Sequence, residues 1–271
     1  MTRNSGQRMN NAEIPPLILA TLSTKELSNI MDSIQLVLIP IGSIEQHGPN
    51  LALNADTVLA KAASIYLASR MGSHVLVAPE VFWGISSHHM SFPGTITLQE
   101  STFIALLFDL VASLKHHGFL RFLFINGHSG NSAGINIALN HIYSKLDLKF
   151  IGSCQYFDLG DKKGAGHAAE MEISFAYALE PRIVKINDLA DGELTCLQRI
   201  AGLDMPYMTE EYSKNGPSGP IGQPSAALGW ERLEPSLTNL LIIAEKICRG
   251  ELDKNAKITS CNEQRGGDAK E

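Results

Sequence analysis

The sequence predicts an α/β fold, a three-layer α/β/α sandwich in a single domain built on a mostly parallel sheet. Three observations predict it. Apolar runs rich in Val, Ile, Leu and Phe recur at "QLVLIP" (35–40), "HVLVAP" (74–79), "RFLFIN" (121–126) and "LKFIGSCQYF" (148–157), with the look of buried strands. Between them lie stretches with the apolar spacing of helices, and strands alternating with helices argue for parallel pairing with helices on both faces. Polar, glycine-containing segments follow the strand-like runs, which is where open α/β sheets hold their ligands.

Each element has its own signal. Residues 1–14 are polar and read as a flexible arm. In "LSTKELSNIM", Ser23 and Glu26 have the spacing of a capping box before a short helix. The run at 35–40 ends in Pro40, and residues 57–70 carry helical spacing through Val58, Ala62 and Ile65, with Gly72 placed to stop that helix. An irregular segment at 81–97 precedes a helix at 99–116 and the strand at 121–126. The chain then turns at Gly127–Gly130 and enters a helix with an apolar stripe at Ile135, Ala138, Leu139 and Ile142. Residues 205–224 end in the Gly- and Pro-rich "NGPSGPIGQP" and read as a loop; in the helical segment after it, Pro235 is expected to kink or interrupt the helix. The domain is expected over 15–250, with a polar tail at 251–271.

Composition excludes several classes. The 271 residues are 44% hydrophobic and 18% charged, as in ordinary globular proteins. The net charge is −6 with no basic cluster, which argues against a nucleic-acid partner. No apolar stretch approaches the ~18 residues of a membrane span, and the first residues lack the apolar core of a signal peptide, so a cytoplasmic enzyme is expected. Cysteines at 154, 196, 248 and 261 show no CxxC spacing and therefore predict neither a disulfide framework nor a thiolate metal site.

Ligand-type side chains gather in the segments after the strands: Glu45, His47 and Asp56 in "GSIEQHGPNLALNAD", His128 in "NGHSGN", and His167 with Glu172 in "GHAAEMEIS". Carboxylate and imidazole donors suit zinc, manganese or iron(II), and a carboxylate can bridge two ions roughly 3.5–4 Å apart. Gly127-His128-Ser129-Gly130 is not a nucleophile elbow, so no serine nucleophile is expected.

These segments, together with "SSHHMSFPGTITL" and "NGPSGPIGQPSAA", resemble the successive motifs of the creatininase family in order, over about residues 20–248. The resemblance implies a single α/β domain, a site for two divalent ions (Zn2+ first, Mn2+ or Fe2+ as alternatives) and a homo-oligomer, a hexamer in many members. It makes Glu45 and His128 ligands of one ion, His47 a ligand of the other, and Asp56 the bridge. The creatinine-hydrolysing branch has a glutamate two positions after the histidine of "NGH"; here that residue is Gly130, so a branch other than creatininase proper is indicated. In that branch the remaining ligand matches Glu172. Glu170 competes, because on a regular helix it shares a face with His167. His167 matches a histidine near the substrate, either a general acid or base or a partner that orients a ligand. His89 matches a histidine near the pocket, with a packing role as its alternative, and Tyr156 is expected to pack there without touching substrate.

The function expected is that of a metal-dependent hydrolase whose ions activate a water for attack on a carbonyl. The bond is a C–N bond in a small cyclic amide or formamide. A peptide of a cofactor-maturation pathway, a C–C bond in a cyclic diketone from an inositol-type sugar, and a non-catalytic metal-binding scaffold are the alternatives.

Overall fold

A computed structural model describes residues 15–157, 166–196 and 205–256. Within them, five strands form one all-parallel sheet: β1 (Leu17–Ile18), β2 (Leu36–Ile41), β3 (Val75–Val77), β4 (Arg121–Asn126) and β5 (Phe150–Gln155), in the order β1-β3-β2-β4-β5. The helices are α1 (Thr24–Ile30), α2 (Ala55–Met71), α3 (Glu100–His116), α4 (Ser132–Lys145), α5 (Glu170–Leu179), α6 (Thr209–Tyr212) and α7 (Ala226–Cys248). The sequence finds four of the five strands and misses β1, whose two residues carry too little pattern to read.

Alternation along the strands makes the layers. Leu36 and Leu38 of β2 face one core with Leu123 and Ile125 of β4, against α2, α5 and α7. Val37, Ile39 and Ile41 face the other with Phe122 and Phe124, against α3 and α4. Because a strand's side chains point alternately to opposite faces, the central strands are buried on both sides, as a parallel sheet requires. The three-layer α/β/α sandwich expected from sequence is therefore the fold.

Several local signals act as read. Ser23 and Glu26 form the reciprocal capping box of α1. Gly72 ends α2 at a positive φ of 68°, a conformation that glycine adopts freely. Pro235 is the exception, since α7 runs through it without a break from Ala226 to Cys248. A proline there removes the N–H that would bond the carbonyl one turn earlier, but Leu233, Leu237, Leu240, Ala244 and Ile247 are all buried, and that packing holds the helix together. The arm at 1–14 and residues 257–271 of the tail lie outside the described residues.

The topology sets the place of the site. After β2 the chain crosses by α2 to β3 on one side, while β4 lies on the other side of β2 and continues by α4 to β5. The crevice beyond the carboxyl ends of β2 and β4 is thus a switch point, where α/β sheets bind ligands.

Candidate metal centre

The β2 end delivers Glu45 and His47, the first turn of α2 delivers Asp56, the β4 end delivers His128, and α5 with the residues just before it delivers Glu172 and His167. Gly127 lets the β4 turn come close to α2, since a Cβ there would run into the carbonyl of Asp56. The result is a buried cluster. Glu45 and His47 are fully shielded from solvent and Asp56 and His128 nearly so.

Asp56 sits between two histidines. Its Oδ1 lies 3.2 Å from His47 Nε2 and its Oδ2 lies 3.2 Å from His128 Nδ1. Glu172 Oε1 faces the same His47 nitrogen at 3.7 Å, and its Oε2 accepts a hydrogen bond of 2.6 Å from the Ala168 N–H. Glu45 Oε2 accepts from the Ser86 hydroxyl and lies 3.1 Å from His128 Nε2, while Oε1 lies 3.3 Å from His89 Nε2 and 3.7 Å from His167 Nδ1.

Backbone carbonyls orient three of the histidines. His47 Nδ1 lies 3.2 Å from the Glu45 carbonyl, His128 Nε2 lies 3.0 Å from that of Ile85, and His167 Nε2 lies 2.7 Å from that of Gln46. A carbonyl oxygen only accepts, so each of these nitrogens carries its hydrogen. The other nitrogen of each ring then points at a carboxylate: His47 Nε2 at Asp56 and Glu172, His128 Nδ1 at Asp56, His167 Nδ1 at Glu45. Metal-binding histidines are oriented in this way, with one N–H anchored and the other nitrogen presented.

Charge completes the picture. Burial alone would raise Glu45, but His128, His89 and His167 hold it well below the usual carboxylate range. Burial and the nearby Glu45 would raise Asp56 as well, yet His47 and His128 lower it. His47 and His128 are pushed well above the usual imidazole value against the effect of burial, His47 by Asp56 and Glu172, His128 by Glu45 and Asp56. Burial and the neighbouring His47 bring His167 down to about 4, so it is neutral at pH 7.

The residues fit divalent ions. Glu45 Oε1 and Asp56 Oδ2 are buried and have no hydrogen-bond partner among the described residues, a costly arrangement for carboxylate oxygens that a cation would remedy. Donor atoms of Glu45, His47 and Asp56 converge within 4.8 Å, as do those of His47, His167 and Glu172. Oxygen and nitrogen donors without thiolate match zinc, manganese or iron(II).

The five ligand-type residues singled out in the sequence come together here, as does His167. Helix α5 begins at Glu170, after His167, so regular helical spacing does not govern that pair. Glu172 turns into the cavity, while Glu170 turns away and accepts from the Gln223 N–H at 2.9 Å. Gly130 leaves no room for a side chain, since a Cβ would meet the His128 ring and the Ile85 carbonyl. Asn131 ties the Ile85 N–H to the Gly42 carbonyl, and Asn126 brackets the backbone of His128. His89 is more than packing, given its approach to Glu45, and His88 lines the cavity with its ring stacked on that of His128 at 5.8 Å. Sequence reading missed Ser86 and Gln46; the position of Gln46 between two ligand-type residues was the only hint.

A cavity of about 550 Å³ opens above these groups, walled by Tyr156, Phe157, Phe175, Tyr207 and Tyr212. The loop at 215–219 backs it: Ser218 Oγ accepts from the His167 N–H at 2.7 Å, and the Ser218 N–H donates to the His167 carbonyl.

Comparison with known proteins agrees with the fold. Residues 20–238 match the family model described as creatinine amidohydrolase. The chain belongs to the creatininase family. It is 29% identical over 252 residues to the mycofactocin precursor peptide peptidase of Mycolicibacterium smegmatis, covering 90% of this chain and 96% of that protein. The creatinine amidohydrolase of Pseudomonas putida is 34% identical over 180 residues, covering 58% of this chain and 68% of that protein. The 3-dehydro-scyllo-inosose hydrolase of Thermotoga maritima is 30% identical over 188 residues, covering 64% of this chain and 59% of that protein. A crystal structure of creatininase superposes with a TM-score of 0.72 at 25% identity, covering 84% of this chain and 96% of that one. A manganese form of creatininase gives 0.73 at 24%, covering 85% and 98%.

Proposed function

We propose that this chain is a hydrolase that uses two divalent ions, zinc or manganese, to cleave an amide C–N bond. The observation that carries the reading is the placement of Asp56, whose buried oxygens face His47 on one side and His128 on the other. Glu45, His47, Asp56, His128 and Glu172 would hold the ions. When bound, such ions supply a Lewis acid for a carbonyl oxygen and lower the pKa of water.

The protein's own groups supply the rest. His167 keeps Nε2–H on the Gln46 carbonyl, turns Nδ1 toward Glu45 and lines the cavity. Its depressed pKa leaves that nitrogen free to accept a proton from the attacking water and pass it to the leaving nitrogen. Tyr156 stays protonated, because burial and the charges of Glu172 and Asp56 raise its phenol well above the usual value, so near the substrate it acts as a donor.

A small cyclic amide or a formamide is the first substrate class. A short peptide is the second reading, favoured by a specific observation: the cavity of about 550 Å³ with its aromatic wall lies within the ~300–1,000 Å³ of pockets that enclose drug-sized ligands. The extensive match to a relative named as a peptide peptidase supports it. The same reading takes the chain to be a cytoplasmic homo-oligomer.

The test is an assay of chelator-stripped protein with zinc or manganese restored, against formamides, small cyclic amides and short peptides, with products identified by mass spectrometry. Metal-dependent release of an amine and an acid supports the reading. Bound ions without turnover of any amide would sink it, and cleavage of a cyclic diketone instead would move the chemistry to a C–C bond.

A further inference from the structure

Four histidines ring Glu45 and Asp56, and one is wired differently from the rest. His47, His128 and His167 each anchor an N–H on a backbone carbonyl and present the other nitrogen to a carboxylate. Among the described residues, no backbone carbonyl pairs with the His89 ring. Its Nδ1 lies 2.9 Å from Gln46 Nε2 and 2.7 Å from the Thr209 hydroxyl.

The orientation of the Gln46 amide decides what His89 does. Gln46 Oε1 accepts from the Gly48 N–H at 2.8 Å, so the nitrogen end is the one turned to His89. An amide nitrogen only donates. His89 Nδ1 must therefore accept, and its hydrogen lies on Nε2, which faces Glu45 Oε1 at 3.3 Å. The main-chain carbonyl of the same residue fixes His167 the opposite way, with its Nδ1 acceptor toward that Glu45 oxygen at 3.7 Å. Gln46 Nε2 also approaches His167 Nε2 at 2.9 Å, but with that hydrogen committed to the carbonyl this is a contact between donors, and the remaining amide hydrogen points toward the Gly216 carbonyl at 3.4 Å.

The seat is built for this residue. Gln46 is buried, and Gly216 stands at a φ of 107°, where a Cβ would overlap Gln46 Oε1. Donor atoms of Glu45, His89 and His167 fall within 4.8 Å of one another and look like a further cation position. The hydrogen on His89 Nε2 closes it.

We propose that Gln46 is a positioning residue that holds His89 in its Nε2–H form, so that His89 turns an N–H and no lone pair toward Glu45 and is kept out of the set of metal ligands. The proposal rests on the metal-site reading above only for its effect on ion binding. A carboxylate in place of the amide would demand a hydrogen on His89 Nδ1, which Thr209 can accept as well as donate to, and would turn an unprotonated Nε2 toward Glu45.

The experiment is long-range 1H–15N correlation NMR of the histidine side chains in metal-free protein, wild type and Gln46→Glu, followed by chelator-competition titration with zinc. In the wild type, His89 should show hydrogen on Nε2 alone; in Gln46→Glu it should move to Nδ1, and the zinc bound per chain should rise as the position formed by Glu45, His89 and His167 opens. Gln46→Met, which leaves Thr209 to donate, should keep the wild-type tautomer. Hydrogen on His89 Nδ1 in the wild type overturns the proposal even if no variant folds, and so does a Gln46→Glu protein with tautomer and zinc content per chain unchanged. The NMR readout needs neither metal nor substrate, so failure of the hydrolase reading leaves it standing or falling by itself.

Discussion

Replacing Glu172 by glutamine, beside the same change at Glu170, separates a residue of the metal site from its neighbour. Glu172 Oε1 lies 3.7 Å from His47 Nε2, and at an effective dielectric of about 20 a pair of unit charges at that distance attract by about 4 kcal/mol before desolvation is counted. Glutamine keeps the shape and can still accept from the Ala168 N–H, but the charge is lost. An ion held by His47 and Glu172 should then bind at least about 100-fold more weakly, about 2.8 kcal/mol. Glu170 faces the backbone of Gln223 at 2.9 Å, a bond that glutamine preserves, so Glu170→Gln should change affinity less than about threefold. Competition titration of each variant with a chromophoric chelator reads the difference. Equal losses, or a larger loss for Glu170→Gln, would refute the assignment of Glu172.

Three further outcomes are expected. Gly130→Ala should cost about 1–3 kcal/mol in chemical denaturation, because its Cβ meets the His128 ring and the Ile85 carbonyl, and should weaken metal binding at the same time. His47 and His128 lie well above the usual imidazole value, so in the metal-free chain both carry protons at pH 7 that ligation must displace. Calorimetry in buffers of different ionisation enthalpy should show proton release on zinc binding, and affinity should rise with pH. His167, at about 4 against an unfolded value near 6.5, binds its proton more weakly when folded. Its contribution should therefore make metal-free stability fall as pH drops from about 6.5 to 4, and His167→Gln should flatten that part of the denaturation profile.

The legible part of this protein lies where periodicity or ligand chemistry leaves a mark. The apolar runs at 35–40 and 121–126 stand out because the central strands of a parallel sheet are buried on both faces, and the cluster from Glu45 to Glu172 is conspicuous because carboxylates and imidazoles are rarely gathered at strand ends without a purpose. What was hidden depends on distance in space. Ser86 meets Glu45, and Gln46 meets His89, across more than forty residues, and no local pattern announces a polar residue whose task is to turn a ring. The competition between Glu170 and Glu172 was opaque for a related reason: it turns on where α5 begins, and the left-handed Ala168, at a φ of 50°, is what separates His167 from the helix. The interruption weighed at Pro235 does not occur, because helix-breaking propensity is a local quantity, whereas the packing that carries α7 through it is not.

The most direct test of the central claim is the metal content per chain of protein purified without chelator, by mass spectrometry, beside Asp56→Ala. Asp56 faces both His47 and His128, so its removal should unmake the pair of positions together. The account predicts close to two ions per chain in the parent and fewer in the variant, with little change in circular dichroism. No metal in either protein after zinc and manganese are supplied, or the same content in both, would contradict it.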